Sequence, residues 1–308
     1  MTKQENSSTA NPTGQPSFYD VLRLDKGRRR WRLVAVVAVF FFLVTAFALN
    51  QTAKTPHNTP HIAHIQVEGI LQDSLHQQKV LEQLREHEST KAVIVYVDSP
   101  GGTMVGGLNL HQALRRVAAE KPVVTVMGTV AASAGYMVSL AGDHVIASPG
   151  SLTGSIGVMM PLVDATDLAS KIGIQSEEVV SGDLKTATSP LRDRTARDNE
   201  YLKETVMEMQ TVFLELITSR RDLTEETLAT ISDGRILTGV SAHRLGLVDA
   251  LGDRNSGRAW LEQNKGISAD IPLIDVSIEK PKGFWETFMH GARSLLFSKE
   301  QRHGIMAM

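Results

Sequence analysis

Three stretches of this chain hold residues suited to acyl transfer. In Gly128-Thr129-Val130-Ala131-Ala132-Ser133-Ala134-Gly135-Tyr136 a single serine stands among small residues, between a β-branched run and a helical pattern. A serine on a strand-to-helix turn is presented at a helix N-terminus, where the dipole favours developing negative charge. The pattern approaches Gly-x-Ser-x-Gly, with Ala131 in place of the first glycine. A buried helix-capping serine would read the same way. Asp98-Ser99-Pro100-Gly101-Gly102 follows the run Ala92–Val97. Two glycines there open backbone conformations closed to other residues, admit a substrate to the main chain and offer N–H groups to an oxyanion. An ordinary tight turn uses them equally well. In Ser181–Pro190, Lys185 is the only lysine between Lys171 and Lys203. In an apolar, desolvated site a lysine gives up its proton, and the neutral amine can then deprotonate a serine. As a solvated loop residue it would stay charged.

Histidine is the competing base. His111, His144 and His243 lie in the same part of the chain, and His111 or His144 could complete a Ser–His–Asp set with Asp98 or Asp143, although no spacing singles one out. His57, His61 and His64 straddle a linker and lack a glutamate at ligand spacing, so no metal site is expected. The 308 residues contain no cysteine, which removes disulfides, thiol nucleophiles and thiolate metal sites together. With 32 Lys and Arg against 34 Asp and Glu, the net charge of −2 gives no basic excess for nucleic acid.

The elements that must position these residues alternate. Strands are expected at His64–Val67, Ala92–Val97, Val123–Met127, Val145–Ala147 and Glu178–Val180. Helices are expected at Gln77–His87, Gly107–Ala119, Ser133–Leu140, Asp164–Lys171 and Arg194–Arg220. Strands alternating with helices point to parallel βαβ units and an α/β class. The runs AVIVYV and VVTVM read as strands buried on both faces, and Val123, Val124, Val126 and Val130 are expected as apolar walls near Ser133.

Ahead of these elements, Leu33 to Leu49 is a run of 17 residues with no charge and one weakly polar residue, Thr45. As a helix it spans about 26 Å at ~1.5 Å per residue, close to a hydrocarbon core of about 30 Å. Lys26, Arg28, Arg29, Arg30 and Arg32 precede it, and Lys54 stands alone after it. The positive-inside rule then leaves the N-terminus in the cytoplasm and the rest of the chain across the membrane. A cleaved signal peptide is the alternative, with Ala46 and Ala48 as a small-x-small site, but the preceding segment is long for one. The expected organisation is a basic cytoplasmic tail (1–32), a signal anchor (33–49), a linker (50–60), one folded domain (61–266) and a C-terminal tail (267–308). In that tail Phe284, Trp285, Phe288, Met289, Leu295, Leu296 and Phe297 cluster among basic residues, suited to a membrane surface or a neighbouring subunit, or to docking on the domain itself.

From about His61 to about Gly266 the chain resembles the S49 peptidases, the signal peptide peptidase A and protease IV group, in their short form, with SohB-like relatives the nearest confusable set. The resemblance is carried, in order, by YVDSPGG at Tyr96–Gly102, VAASAGYMVS at Val130–Ser139, GSIGVM at Gly154–Met159, SGDLKTATSP at Ser181–Pro190 and DGRILTGVSAHRLGLVD at Asp233–Asp249. It implies a ClpP/crotonase-like fold of spiralling ββα units. It implies Ser133 as nucleophile, Lys185 as general base, and an oxyanion hole from the N–H groups of Gly102 and Ala134, with Gly101 shaping the turn. Ala134 stands where many relatives carry glycine, and the N–H donor survives that change. No cofactor is implied. The implied partners are peptide substrates, chiefly signal peptides left in the membrane, and further copies of the chain in a dome-like homo-oligomeric ring, where serine and lysine meet across a subunit boundary. The implied location is the bacterial inner membrane, with the catalytic domain on the extracytoplasmic side. Two other readings share these residues: a catalytically silent membrane scaffold, and a crotonase-like acyl-CoA enzyme, which the expected location disfavours.

The anchor reading predicts that the full chain stays in the membrane pellet after an alkaline carbonate wash with residues 1–49 uncleaved, and that deleting 33–49 releases it. A mature protein beginning near residue 50 would establish a cleaved signal peptide instead.

Overall fold

The computed structural model describes residue 31, residues 34–42 and residues 59–279. The chain divides into two units, Met1–Asn58 and Thr59–Met308. In the first, residues 34–42, inside the expected anchor, are helical with exposed apolar side chains. Among the described residues no helix is long and apolar enough to cross a membrane. The remainder of the expected anchor and the aromatic cluster Phe284–Phe297 lie outside the described residues.

The second unit is α/β. Three long strands, β1 (His61–Leu71), β2 (Thr90–Gly102) and β3 (Val123–Ala132), are joined by α1 (Leu75–Glu86) and α2 (Met104–Ala118). Parallel pairing of β1 with β2 and of β2 with β3 requires such crossovers. Side chains alternate across this sheet. Ala63, Ile65, Val67, Val93, Val95 and Val97 join the larger core beneath α1 and α2. Ile62, Ala92, Ile94, Val124 and Val126 join a smaller one closed by Leu261 and Trp260 of α8 (Ser256–Lys265). Burial on both faces is what the continuous β-branched runs require.

β3 is shared by two neighbours. Its first half pairs with β4 (His144–Ala147) and its last three residues with β5 (Leu152–Gly154), both parallel. α3 (Ala134–Ser139) connects β3 to β4, and β5 in turn pairs antiparallel with β6 (Ile236–Thr238). The remaining elements are α4 (Thr166–Lys171), a 3₁₀ turn (Asp183–Thr186), α5 (Ala196–Thr218), α6 (Glu225–Ile231), α7 (Gly239–Arg244), β7 (Ala250–Leu251) and β8 (Leu273–Asp275).

Two expectations change. Glu178–Val180 is irregular rather than a strand, and Val179 is 99% exposed, because no neighbouring strand is there to pair with it. The segment from 267 is not wholly a tail: β8 pairs parallel with β1, the His64 ring meets Asp275 at 2.6 Å, and Ile278 is buried in the larger core. The folded unit therefore extends past Gly266.

His111 on α2 is buried, and its Nδ1–H donates to the Met137 carbonyl at 2.8 Å. Burial, helped by Arg220 and Arg115 and opposed by that hydrogen bond, pushes its pKa down to about 4. A folded-state value below the unfolded one of about 6.5 means that protonation favours unfolding. His111 thus contributes stability in full above pH 6.5, and this is lost as the pH falls towards 4. Between pH 7 and 5 the loss from this group is expected to be on the order of 2 kcal/mol. Urea unfolding at the two pH values should show a smaller difference for His111→Gln than for the parent.

Candidate active site

Ser133 ends the β3-to-α3 turn with φ 53° and ψ −121°, a conformation strained for an L-residue. The turn is held on both sides. Ser133 N–H donates to Gly154 O on β5 at 2.9 Å, and Ser133 O accepts from Met137 N–H at 3.1 Å. Tyr136, wholly buried, donates its hydroxyl to Leu247 O at 2.9 Å and fixes α3 from below. Ser133 stands at the N-cap position, yet its side chain caps nothing and its hydroxyl has no hydrogen-bond partner among the described residues. The helix-capping reading of this serine therefore fails.

The end of β2 lies beside it, because the β2–β3 register sets Ser99 opposite Ala131. Gly101 adopts φ 125°, and a Cβ there would come within 3.0 Å of Ser133 Cβ and 3.4 Å of its Oγ. A Cβ on Gly102 would lie 2.0 Å from the Leu71 carbonyl oxygen, so β1 excludes any side chain at this position. Gly102, Ser133 and Ala134 line one cavity of about 780 Å³. Its apolar walls are Met104, Met137, Val158, Met159, Pro161, Val206 and Met209. Of the valines expected there, Val123, Val124 and Val126 are instead buried in the sheet, and the half-buried Val130 does not line the cavity either. A hydroxyl, two candidate oxyanion donors and a methionine-rich groove form a site for attack on a carbonyl beside an apolar chain.

Residues 115–268 match the family model described as peptidase family S49. The chain belongs to peptidase family S49. It is 32% identical over 206 residues to a putative protease of Methanocaldococcus jannaschii, covering 67% of this chain and 66% of that one. It is 32% identical over 223 residues to a putative protease of Synechocystis sp., covering 72% and 80%. A putative signal peptide peptidase SppA of Enterococcus faecium is 28% identical over 196 residues, covering 63% and 57%. Among solved structures, a ClpP1 mutant from Listeria monocytogenes superposes with a TM-score of 0.42 at 18% identity, covering 63% of this chain and 93% of that one.

In this S49 chain Lys185 is not at Ser133. It sits on the 3₁₀ turn, exposed, beside a different cavity of about 410 Å³ lined by Ser181–Leu184, Arg197 and Tyr201. Its ammonium has no carboxylate or hydrogen-bond partner among the described residues. The expectation of a buried Lys185 is therefore not met within one copy of the chain. The histidines do not replace it. His111 is committed to Met137 O, His144 stacks on Trp260 at 4.8 Å, and His243 faces Val248 O at 3.3 Å. None of them lines the Ser133 cavity. Asp98 accepts from Val130 N–H, and Asp143 accepts from Val123 N–H and pairs with Arg115, so both carboxylates brace the framework. Among the described residues no cluster suited to a metal ion occurs.

One residue escaped the sequence reading. Ser155 lines the same cavity as Ser133 and is, among the described residues, the other non-glycine residue with positive φ, at 49°. It directly follows the carbonyl that holds Ser133, and so brings a second hydroxyl to the S49 site. The signal was present in Gly154-Ser155-Ile156-Gly157, where two glycines bracket a serine.

Gly101→Ala is expected to leave a folded protein with peptide hydrolysis reduced ~100-fold or more, because the new methyl displaces Ser133 from its attack position. Steady-state cleavage of a fluorogenic peptide, read beside a thermal melt, checks both halves.

Proposed function

We propose that this S49 family member is a membrane-anchored serine endopeptidase that degrades released signal peptides and other unfolded or membrane-proximal peptides. The observation that carries the reading is the unpartnered Ser133 hydroxyl, on a strained turn, in one cavity with Gly102 and Ala134. Ser133 Oγ attacks the scissile carbonyl while the Lys185 amine takes its proton. The N–H groups of Gly102 and Ala134 receive the oxyanion. Lys185 returns the proton to the leaving amine and then draws one from the water that hydrolyses the acyl-enzyme. The apolar groove suits Leu- and Ala-rich segments, as does the likeness to a relative named for signal peptides.

Lys185 comes from a neighbouring copy in this reading. The separation of Lys185 from the Ser133 cavity supports that, as do the exposed apolar side chains Met159, Val163, Leu168 and Ile172 ahead of the lysine turn, which a lone subunit leaves wet. A homo-oligomeric ring on a ClpP/crotonase-like framework would cover them. The basic cluster and apolar run before residue 50 support an inner-membrane anchor with the domain on the extracytoplasmic side. One observation favours a silent scaffold as the second reading: among the described residues neither Lys185 nor a histidine lines the Ser133 cavity, and Asp233, which does, is paired with Arg235.

The test uses full-length protein in detergent, a synthetic signal peptide and unfolded casein. Ser133→Ala and Lys185→Ala should each lose activity by ~10³-fold or more. Mixed before assembly in equal amounts, the two should recover roughly a quarter of the parental sites, since random pairing sets an intact serine beside an intact lysine that often. No recovery in verified mixed assemblies overturns the shared site, and an inactive assembled parent favours the scaffold.

A further inference from the structure

The lysine turn has little to hold it. Residues 181–186 bury no side chain, and Ala187 is the first to do so. The local backbone bonds, Lys185 N–H to Gly182 O at 3.0 Å, Ala187 N–H to Leu184 O at 3.2 Å and Ser189 N–H to Thr186 O at 2.9 Å, shape the turn without attaching it to the domain. A base must arrive within hydrogen-bond reach of its serine, and a four-carbon side chain on a loose turn would spread over many positions.

An exposed ion pair, Arg197 with Asp183 at 3.6 Å, ties the turn only weakly to α5; the firmer attachment is made by Arg192. Its Nε donates to both Thr186 O at 3.1 Å and Thr186 Oγ1 at 3.0 Å. Its Nη2 donates to Asp198 Oδ1 at 2.8 Å. Asp198 is 2% exposed, and its other oxygen accepts from the Thr195 N–H and hydroxyl, both at 2.8 Å, in the capping box that starts α5. The Arg192 guanidinium, with the Thr195 N–H and hydroxyl, holds the Asp198 carboxyl well below the usual carboxylate range. The guanidinium is thus a rigid fork between the residue next to Lys185 and the first turn of a 23-residue helix.

We infer that Arg192, anchored by Asp198, is a positioning residue that fixes the Lys185 turn for catalysis. The inference rests on Lys185 being the base. Lysine at 192 would keep a positive charge beside Asp198 but lacks the planar fork that reaches both partners. Arg192→Lys therefore separates positioning from the burial of an unpaired carboxylate. Thr186→Val removes one of the two Nε acceptors and spares the carbonyl.

The experiment measures kcat and KM for the assembled full chain on a fluorogenic peptide, for the parent, Lys185→Ala, Arg192→Lys, Thr186→Val and the Lys185→Ala/Arg192→Lys double variant, with amide exchange on each. Arg192→Lys should lower kcat by ~10- to 100-fold with KM within about threefold, and Thr186→Val by a few-fold. Exchange should quicken over 183–189 while β1–β3 stay protected. In the Lys185→Ala background, Arg192→Lys should lower the residual rate no further, because the two act through one group. An unimpaired Arg192→Lys beside an inactive Lys185→Ala overturns this inference alone, as does an additive loss in the double variant. A fully active Lys185→Ala overturns the base assignment and this inference with it.

Discussion

The Ser133 main chain is held where an L-residue pays for its conformation, and the surrounding elements are arranged so that it cannot relax. A residue at φ 53° and ψ −121° costs on the order of 1–3 kcal/mol. The cost is met by Gly154 O on one side, by the first turn of α3 on the other, and by β2, whose terminal glycines leave no room for a shift. This explains why the edge of β3 away from β2 is shared by two strands. Its N-terminal half must be closed by β4, while its C-terminal end must meet β5, the strand whose last carbonyl receives the serine N–H. The fork in the sheet and the reactive turn are one feature.

The central sheet was legible in the sequence because its strands are long and buried on both faces. AVIVYV and VVTVM carry no other pattern, and the structure extends both towards the site. β5, β6, β7 and β8 have two or three residues each, too few for any periodicity to register, and pairing with neighbouring strands alone makes them strands. Glu178–Val180 had a strand-like composition but no partner. Gly101, Gly102, Ser133 and Ala134 were legible as a group because each lies where a long strand ends, and adjacent parallel strands bring such ends together.

Lys185 was legible as a residue type but not as a position. Its turn has no apolar period to tie it to the sheet, and its fixed points are polar: a guanidinium, a threonine and a buried carboxylate spread over residues 186–198. Such networks leave no hydrophobic signature. The contrast divides the candidate machinery into a nucleophile half supported by packing and a lysine half supported by hydrogen bonds.

The placement of β8 bears on how this molecule is made. The first strand of the folded unit, β1, pairs on one side with β2 and on the other with the last described strand, and Ile278 just beyond closes the larger core. During synthesis that outer flank of β1 must stay open until Leu273–Asp275 has emerged, about 200 residues later, an interval in which a bare strand can template association with another copy. His61 and His64 on β1 and the charged Glu68 near its end make that waiting edge less apolar than the strands inside it.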